Sequence, residues 1–461
     1  MDRLPDELLM HIIYQAIGGR GDRSRTNFAC VARRWQAIAE AKNWRFFFLP
    51  SREIDRFAKM LARVPSRREA LRKIYCLIDV CSEPTDGRQY VDFYDSSGGE
   101  ESHPESTRFT RAIYTLFEAL AGGDEDAQPP LNLKLKLQIA SSGIYPITIE
   151  RFLRIVPLDG HRKTLPTVRY IESLKITFRG RSLHPAAAAT ILAALPCLGA
   201  LCMPLEPRGP QSFTAAHLRA PHLHAVSRHL ETSNYTNLQE LKISNSSLSP
   251  LAGINPALHK LSQSAPLVNL WLFGNWFLSP ALFWPAGTPS STDKPFWPKL
   301  QSLHIRASSR FPDTKSATGG FDFLEKDEAY RYAMGWDPPP VEPAAFDLLV
   351  SSMSKAVLQM PALRVLTVKI KRDHVRDPRL DTGACDYDIC VECLDSGEES
   401  AVMRYREGRE ADKVNAQSYR RWRVWLLSPV DWSPSWKIRQ LWQQFVGPDG
   451  ITGTKTAEEM Y

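Results

Sequence analysis

Three cysteines near the C-terminal end are the residues whose types and spacing come closest to chemistry, in the order Cys385-x4-Cys390-x2-Cys393, with His374 11 residues upstream. Zinc or an iron–sulfur cluster wants four such ligands. No cysteine follows residue 393, and His374 is what would complete a Cys3His set. The expectation is instead a strand edge carrying free thiols, with no metal. Asp381-Thr382-Gly383 matches the aspartic-protease tripeptide. That chemistry needs two carboxylates sharing one proton. Taken as a lone tripeptide, preceded by Arg379 and Leu380 where apolar residues are needed, it reads as a loop turn. His222, His224 and His229 have no acid spaced to match them and read as surface or packing histidines.

Other catalytic signatures are missing. Gly18-Gly19-Arg20-Gly21 lacks the strand–turn–helix context of a phosphate-binding loop. No Gly-x-Ser-x-Gly elbow occurs. No cysteine sits in an acyl-transfer context such as a thioester-forming ligase requires. The chain is expected not to be an enzyme and to need no cofactor.

The net charge of +7 is local. Residues 1–80 hold 16 Lys/Arg and 9 Asp/Glu, whereas the other 381 residues hold 42 of each. A basic balance raises nucleic acid as a partner. A charge-neutral body, and no RNP, KH, zinc-finger or helix-turn-helix signature, argue against it. The first residues carry Asp2, Asp6 and Glu7 and no apolar run of a secretory signal. No stretch of about 18 apolar residues suggests a membrane span. Eight cysteines in such a chain read as reduced thiols in the cytoplasm or nucleus.

What must position any site is a chain of short elements. Residues 4–17 are predicted to be a helix, opened by Pro5 and the acids Asp6 and Glu7, with Leu8, Leu9, Ile12 and Ile13 on one stripe. A second helix over Asn27–Glu40 puts Phe28, Val31, Trp35 and Ile38 on one face. Trp44–Leu49 reads as an aromatic plug of Trp44, Phe46, Phe47 and Phe48. Leu4-Pro5-Asp6-Glu7-Leu8, then Phe28-Ala-Cys-Val-Ala-Arg-Arg-Trp35, then Trp44-Arg45, resembles the F-box. That family's three-helix unit docks on the Skp-family adaptor of a cullin-RING (SCF-type) ubiquitin ligase. The resemblance implies adaptor contacts from Leu4, Pro5, Leu8, Leu9, Ile12, Ile13, Val31, Trp35 and Ile38. Short helices with more apolar face than they can hide among themselves fit that role. The competing reading packs the same stripes on the rest of the chain. Adaptors of this family tend to be acidic, so the basic N-terminal segment is expected to face one.

Beyond residue 70 an apolar-x-x-apolar-x-apolar pattern recurs, at Leu71/Ile74/Cys76, Ile171/Leu174/Ile176, Leu198/Leu201/Met203, Leu238/Leu241/Ile243, Leu267/Leu270/Leu272, Leu300/Leu303/Ile305 and Leu363/Leu366/Val368. One copy continues to Asn275 and Phe277, the full leucine-rich-repeat pattern. Predicted helices over 186–195, 258–264 and 344–360 precede three copies, and Pro196, Pro266 and Pro361 stop them. Ser82–Thr107, Ala121–Pro130 and Ala307–Pro343 read as loops. After residue 372, strands are predicted at Ile389–Leu394, Ser400–Tyr405 and Trp422–Leu427 and a helix at Trp436–Phe445. This layout resembles the C-terminal region of fungal F-box proteins.

The expected fold is α+β: a three-helix F-box (residues 1–48), a linker helix, first strand and loops (49–130), an irregular leucine-rich-repeat-like α/β solenoid (131–372) and a C-terminal α+β cap (373–461). In such a repeat the residues between the buried ones face the open sheet. Here they are Lys175, Lys242, Trp271 and His304, then Phe273, Arg306 and Lys369. Cations beside aromatics suit an acidic or phosphorylated target, although an ordinary solvated face has the same composition. The expected function is the substrate-recognition subunit of an SCF-type ligase, with a protein target and no membrane partner. The alternatives are nucleic-acid binding through the basic N-terminal segment and an F-box scaffold acting outside a ligase.

Overall fold

The computed structural model describes residue 8 and residues 40–80, 104–122, 132–140, 153–156, 164–179, 183–204, 236–245, 254–264, 266–274, 278–284, 295–308, 343–371, 387–395, 421–428, 432–448 and 451–456. The fold is α+β, and most strand pairs are parallel. The chain divides into two compact units, Met1–Pro146 with Arg151–Ala200, and Ile147–Glu150 with Leu201–Tyr461.

In the first unit, strands β1 (Phe46–Pro50), β2 (Lys73–Asp79), β3 (Leu133–Ala140) and β4 (Ile171–Arg179) pair in chain order, all parallel. Their side chains alternate with period two. Ile74, Cys76 and Ile78, then Leu135, Leu137 and Ile139, are buried on one face. Helices close that face. In α1 (Ile54–Arg63), Ile54, Phe57 and Leu61 fall on one stripe and are buried. Pro65 opens the short α2 (Pro65–Ala70). The 18-residue α3 (Pro104–Ala121) buries Phe109, Ile113, Phe117 and Leu120. Its buried polar residues hold the next segment: Thr110 Oγ1 accepts from the Val156 amide at 3.0 Å, and Ser106 Oγ from the Arg154 amide at 3.2 Å. Helix α4 (Pro185–Ala193) is capped by His184, whose Nδ1 accepts from the Ala186 amide at 3.1 Å.

Strand β5 (Ala200–Pro204) begins where the units divide. In the second unit β6 (Glu240–Asn245), β7 (Asn269–Gly274), β8 (Ser302–Ser308) and β9 (Val365–Lys371) are again successive parallel neighbours. The direction then reverses. Strand β10 (Tyr387–Leu394) is antiparallel to both β9 and β11 (Arg421–Ser428), and β12 (Ile451–Thr456) runs parallel to β11. The helices are α5 (Ile254–Ser264), α6 (Pro343–Val357) and α7 (Trp436–Val446). Phe346 of α6 meets Trp432 edge-on at 4.7 Å. Gly447, with φ +74, ends α7 in the left-handed region that glycine tolerates.

All seven copies of the apolar pattern lead into strands, and the three predicted helices exist. Four readings need correction. Trp44–Leu49 is not a plug: β1 begins at Phe46, so Phe47 turns inward onto Trp44 and Phe57 while Phe46 and Phe48 turn outward. The loops predicted over Ser82–Thr107 and Ala121–Pro130 overlap α3, which starts at Pro104 and ends at Ala121. The loop predicted over Ala307–Pro343 likewise overlaps β8, which runs to Ser308, and α6, which starts at Pro343. Strands β3 and β12 escaped the pattern: Leu133-Lys-Leu-Lys-Leu alternates strictly from its first residue, and Ile451-Thr-Gly-Thr-Lys-Thr carries a single apolar side chain at its start. Asn275, Phe277 and the strand predicted at Ser400–Tyr405 lie outside the described residues.

Candidate binding face

In each unit the outward side of the strands carries the polar and aromatic side chains that alternate with the buried ones. In the second unit, Lys242, Trp271, His304 and Thr367 are register neighbours on β6, β7, β8 and β9. Trp271 and His304 stack with centroids 6.0 Å apart and planes 10° apart. His304 Nδ1 and Thr367 Oγ1 are 2.8 Å apart. Burial pushes the His304 pKa below the usual imidazole value, so the ring is neutral near pH 7. Lys242 Nζ lies 4.9 Å from the Phe273 ring centroid. Arg306 pairs with Lys369 in register on β8 and β9. Six of the seven residues expected on the target face therefore belong to this unit, while Lys175 lies on β4 of the first.

Around Lys175 the first unit presents a second such surface, most of it absent from the sequence reading. Phe48, Tyr75, Lys136 and Lys175 are register neighbours across β1 to β4, and Phe46, Lys73 and Lys134 form the row before them. Phe46 and Phe48 are half exposed. Lys136 Nζ sits 4.3 Å from the Tyr75 centroid, Lys73 Nζ 5.6 Å from that of Phe46, and Phe48 packs on Tyr75 at 5.2 Å. Each cation–π contact contributes about 0.5–1 kcal/mol at such exposed sites. Strict alternation in Leu133-Lys-Leu-Lys-Leu was the available signal for Lys134 and Lys136.

Of the residues expected at the adaptor, Leu8 is helical and 53% exposed. Leu4, Pro5, Leu9, Ile12, Ile13, Val31, Trp35 and Ile38 lie outside the described residues. Trp44 is buried, stacked 5.0 Å from Phe47, with the Arg67 guanidinium 5.4 Å from its ring. Arg67 also pairs with Glu40 at 3.3 Å, and Arg68 is buried against α3. Part of the basic excess thus serves internal contacts rather than facing a partner.

Cys390 and Cys393 are both buried on β10, an interior strand rather than an edge. Three residues apart on a strand, they point to opposite faces and cannot share one ion. His374 and Cys385 lie outside the described residues, and among the described residues no cluster of metal-ligating groups occurs. Asp381-Thr382-Gly383 is not a lone tripeptide, since Asp395-Ser396-Gly397 repeats it. Asp395 instead forms an exposed ion pair with Arg364 at 2.6 Å. A proton-sharing dyad needs close, shielded carboxylates, and an exposed carboxylate beside a guanidinium is the opposite environment.

Among the described residues no helix is long and apolar enough to cross a membrane. No protein-family model matches the chain, and no curated protein matches it.

Proposed function

We propose that the chain is the substrate-recognition subunit of an SCF-type cullin-RING ubiquitin ligase, working in the cytoplasm or nucleus. Its N-terminal F-box holds the Skp-family adaptor, and an irregular leucine-rich-repeat-like solenoid, closed by a C-terminal cap, holds a protein target. Catalysis lies in other subunits, and the receptor supplies proximity.

One observation carries the adaptor half: Leu4-Pro5-Asp6-Glu7-Leu8, Val31-x-x-x-Trp35 and Trp44-Arg45 coincide in order and spacing with the F-box. An exposed, helical Leu8 is in keeping with it, since an adaptor-facing apolar residue must be open in the free chain. For the target half, parallel sheets usually have both faces covered. Strands such as β2 and β7, with one face buried and the other partly open, suit stacked repeats that bind on the open side. On this reading Lys175, Lys242, Trp271, Phe273, His304, Arg306 and Lys369 contact the target.

The test is co-expression with a Skp-family adaptor, of the wild-type chain and of Leu4→Asp/Trp35→Ala. Co-purification of wild type and its loss in the variant are expected. A wild-type chain that stays soluble and unpaired with the adaptor at micromolar concentration ends the ligase reading. Nucleic-acid binding through the basic N-terminal segment is the second reading, favoured by the 16 Lys/Arg against 9 Asp/Glu in residues 1–80. It expects retention on RNA that declines steeply with salt.

A further inference from the structure

The lysines of the first unit stand in an arrangement that a sheet does not adopt for its own stability. Lys73 of β2 is the register partner of Lys134 of β3, and Lys136 of β3 is the partner of Lys175 of β4. Neighbouring strands are about 4.8 Å apart. Two like-charge cross-strand pairs, in adjacent rows of one face, therefore work against pairing. Lys73, Lys134 and Lys175 are exposed and Lys136 is partly so. Among the described residues of β1 to β4 the acids are Asp79, two rows further along β2 on the same side, and Glu172, exposed at the start of β4. Neither is a register partner of a lysine in the quartet.

From this geometry we infer that the outward face of β1 to β4 is a docking site for an extended acidic peptide of a partner protein, its carboxylates on Lys73, Lys134, Lys136 and Lys175 and an apolar side chain against Phe46 and Phe48. Three features argue for that occupant. The four lysines occupy two adjacent rows of one face, so a partner that meets all of them must carry several negative charges. Beside it, two half-exposed phenylalanines on β1 offer apolar surface to a neighbouring residue of the same peptide. Ammonium groups already lie against the rings of Phe46 and Tyr75. Those rings are thereby engaged by cations, whereas single-stranded nucleic acid needs open ring faces for its bases. The inference rests on the open sheet face and is independent of any adaptor or ligase.

Fluorescence anisotropy of the purified full-length chain, without adaptor, tests it. The probes are a labelled Glu/Leu peptide, a labelled Lys/Leu peptide and labelled oligo-U RNA. The acidic peptide is expected to bind, more weakly as salt rises. Lys134→Glu/Lys136→Glu is expected to weaken it at least about tenfold. The charge-matched control Arg56→Glu/Lys59→Glu, on the exposed side of α1, is expected to retain it. Both lysines stand on the outward face, and the change relieves like-charge pairs. The thermal midpoint of the variant is therefore expected to hold or rise, which separates lost binding from lost folding. Lys134→Gln/Lys136→Gln, with an intermediate loss expected, serves if the double Glu chain misfolds. Absence of peptide binding overturns the inference. So does an equal loss in the α1 control, or RNA binding tighter than peptide through the same lysines. Failure to capture the adaptor leaves these outcomes unaffected.

Discussion

Arg68 reaches from α2 to the last turn of α3, its Nη2 3.1 Å from the Ala119 carbonyl oxygen. The same nitrogen donates to the Gly122 carbonyl, and the Tyr170 hydroxyl donates to that of Leu120. Carbonyls at a helix C-terminus have no partner within the helix, and a cation there also complements the helix dipole. Burial raises the Tyr170 pKa to about 12, and the nearby Arg68 charge partly opposes that rise, so the phenol stays a donor. Replacing Arg68 by Met leaves buried carbonyls unsatisfied and is expected to cost about 2–3 kcal/mol in urea unfolding. Arg67→Ala removes a partly exposed pair with Glu40 and the cation–π contact with Trp44. It is expected to cost about 1 kcal/mol. Equal costs for the two would refute the capping role.

Ser262 joins α5 to the segment before β8. Its hydroxyl accepts from Trp297 Nε1 at 2.6 Å and donates to the His259 carbonyl at 2.7 Å. Ser262→Ala strands the indole N–H in a buried place and is expected to cost about 1–3 kcal/mol. In the Ser262→Ala/Trp297→Phe chain the orphaned donor is gone. A double-mutant cycle is then expected to show coupling, which strict additivity would contradict.

His259 is expected to make the second unit sensitive to acid. Its Nδ1 lies 3.0 Å from the Leu282 carbonyl oxygen, which only accepts, so Nδ1 carries the proton and Nε2 accepts from Gln263. Burial lowers its pKa, partly offset by the Leu282 bond, and burial lowers that of His304 too. A lowered pKa means that the unfolded chain binds protons the folded chain does not. Stability from these histidines is therefore fully present above the unfolded value of about 6.5 and lost as pH falls through the folded values. Urea midpoints are expected to drop below about pH 6.5, and less so in His259→Gln. An unchanged pH profile in that variant would remove His259 as the cause.

Thiol reactivity provides a check on the packing of the first sheet. Burial pushes the Cys76 pKa up to about 12, and the thiol faces inward from β2. Since the thiolate is the nucleophile, Cys76 is expected to resist iodoacetamide at pH 8 until the chain unfolds. The partly exposed Cys197 and Cys202 are expected to react before it, as read by peptide mass spectrometry. Early labelling of Cys76 would mean that α1 and α3 do not cover the sheet as described.

For nine of the twelve described strands, which segment becomes a strand and which of its residues turn inward was written in local pattern. Leu-x-x-Leu-x-Leu runs closed by a helix and a proline leave a strand little freedom, because a period-two apolar stripe has one way to face a core. The outward positions Lys242, Trp271 and His304 followed from the same parity. Local pattern could not settle which strand lies beside which, and there the chemistry of the face arises. Lys73 and Lys134 are 61 residues apart in the chain, yet the parallel register makes them neighbours. The same holds for Phe48 and Tyr75, and for Arg68 and the end of α3. Each side chain's direction is set by its own strand, whereas its partners depend on the packing that aligns strands distant in sequence. The sequence by itself determined most of the described elements and their polarity. Only the tertiary structure decided that lysines and aromatics collect on one face, because register is a property of pairs of strands and not of any one of them.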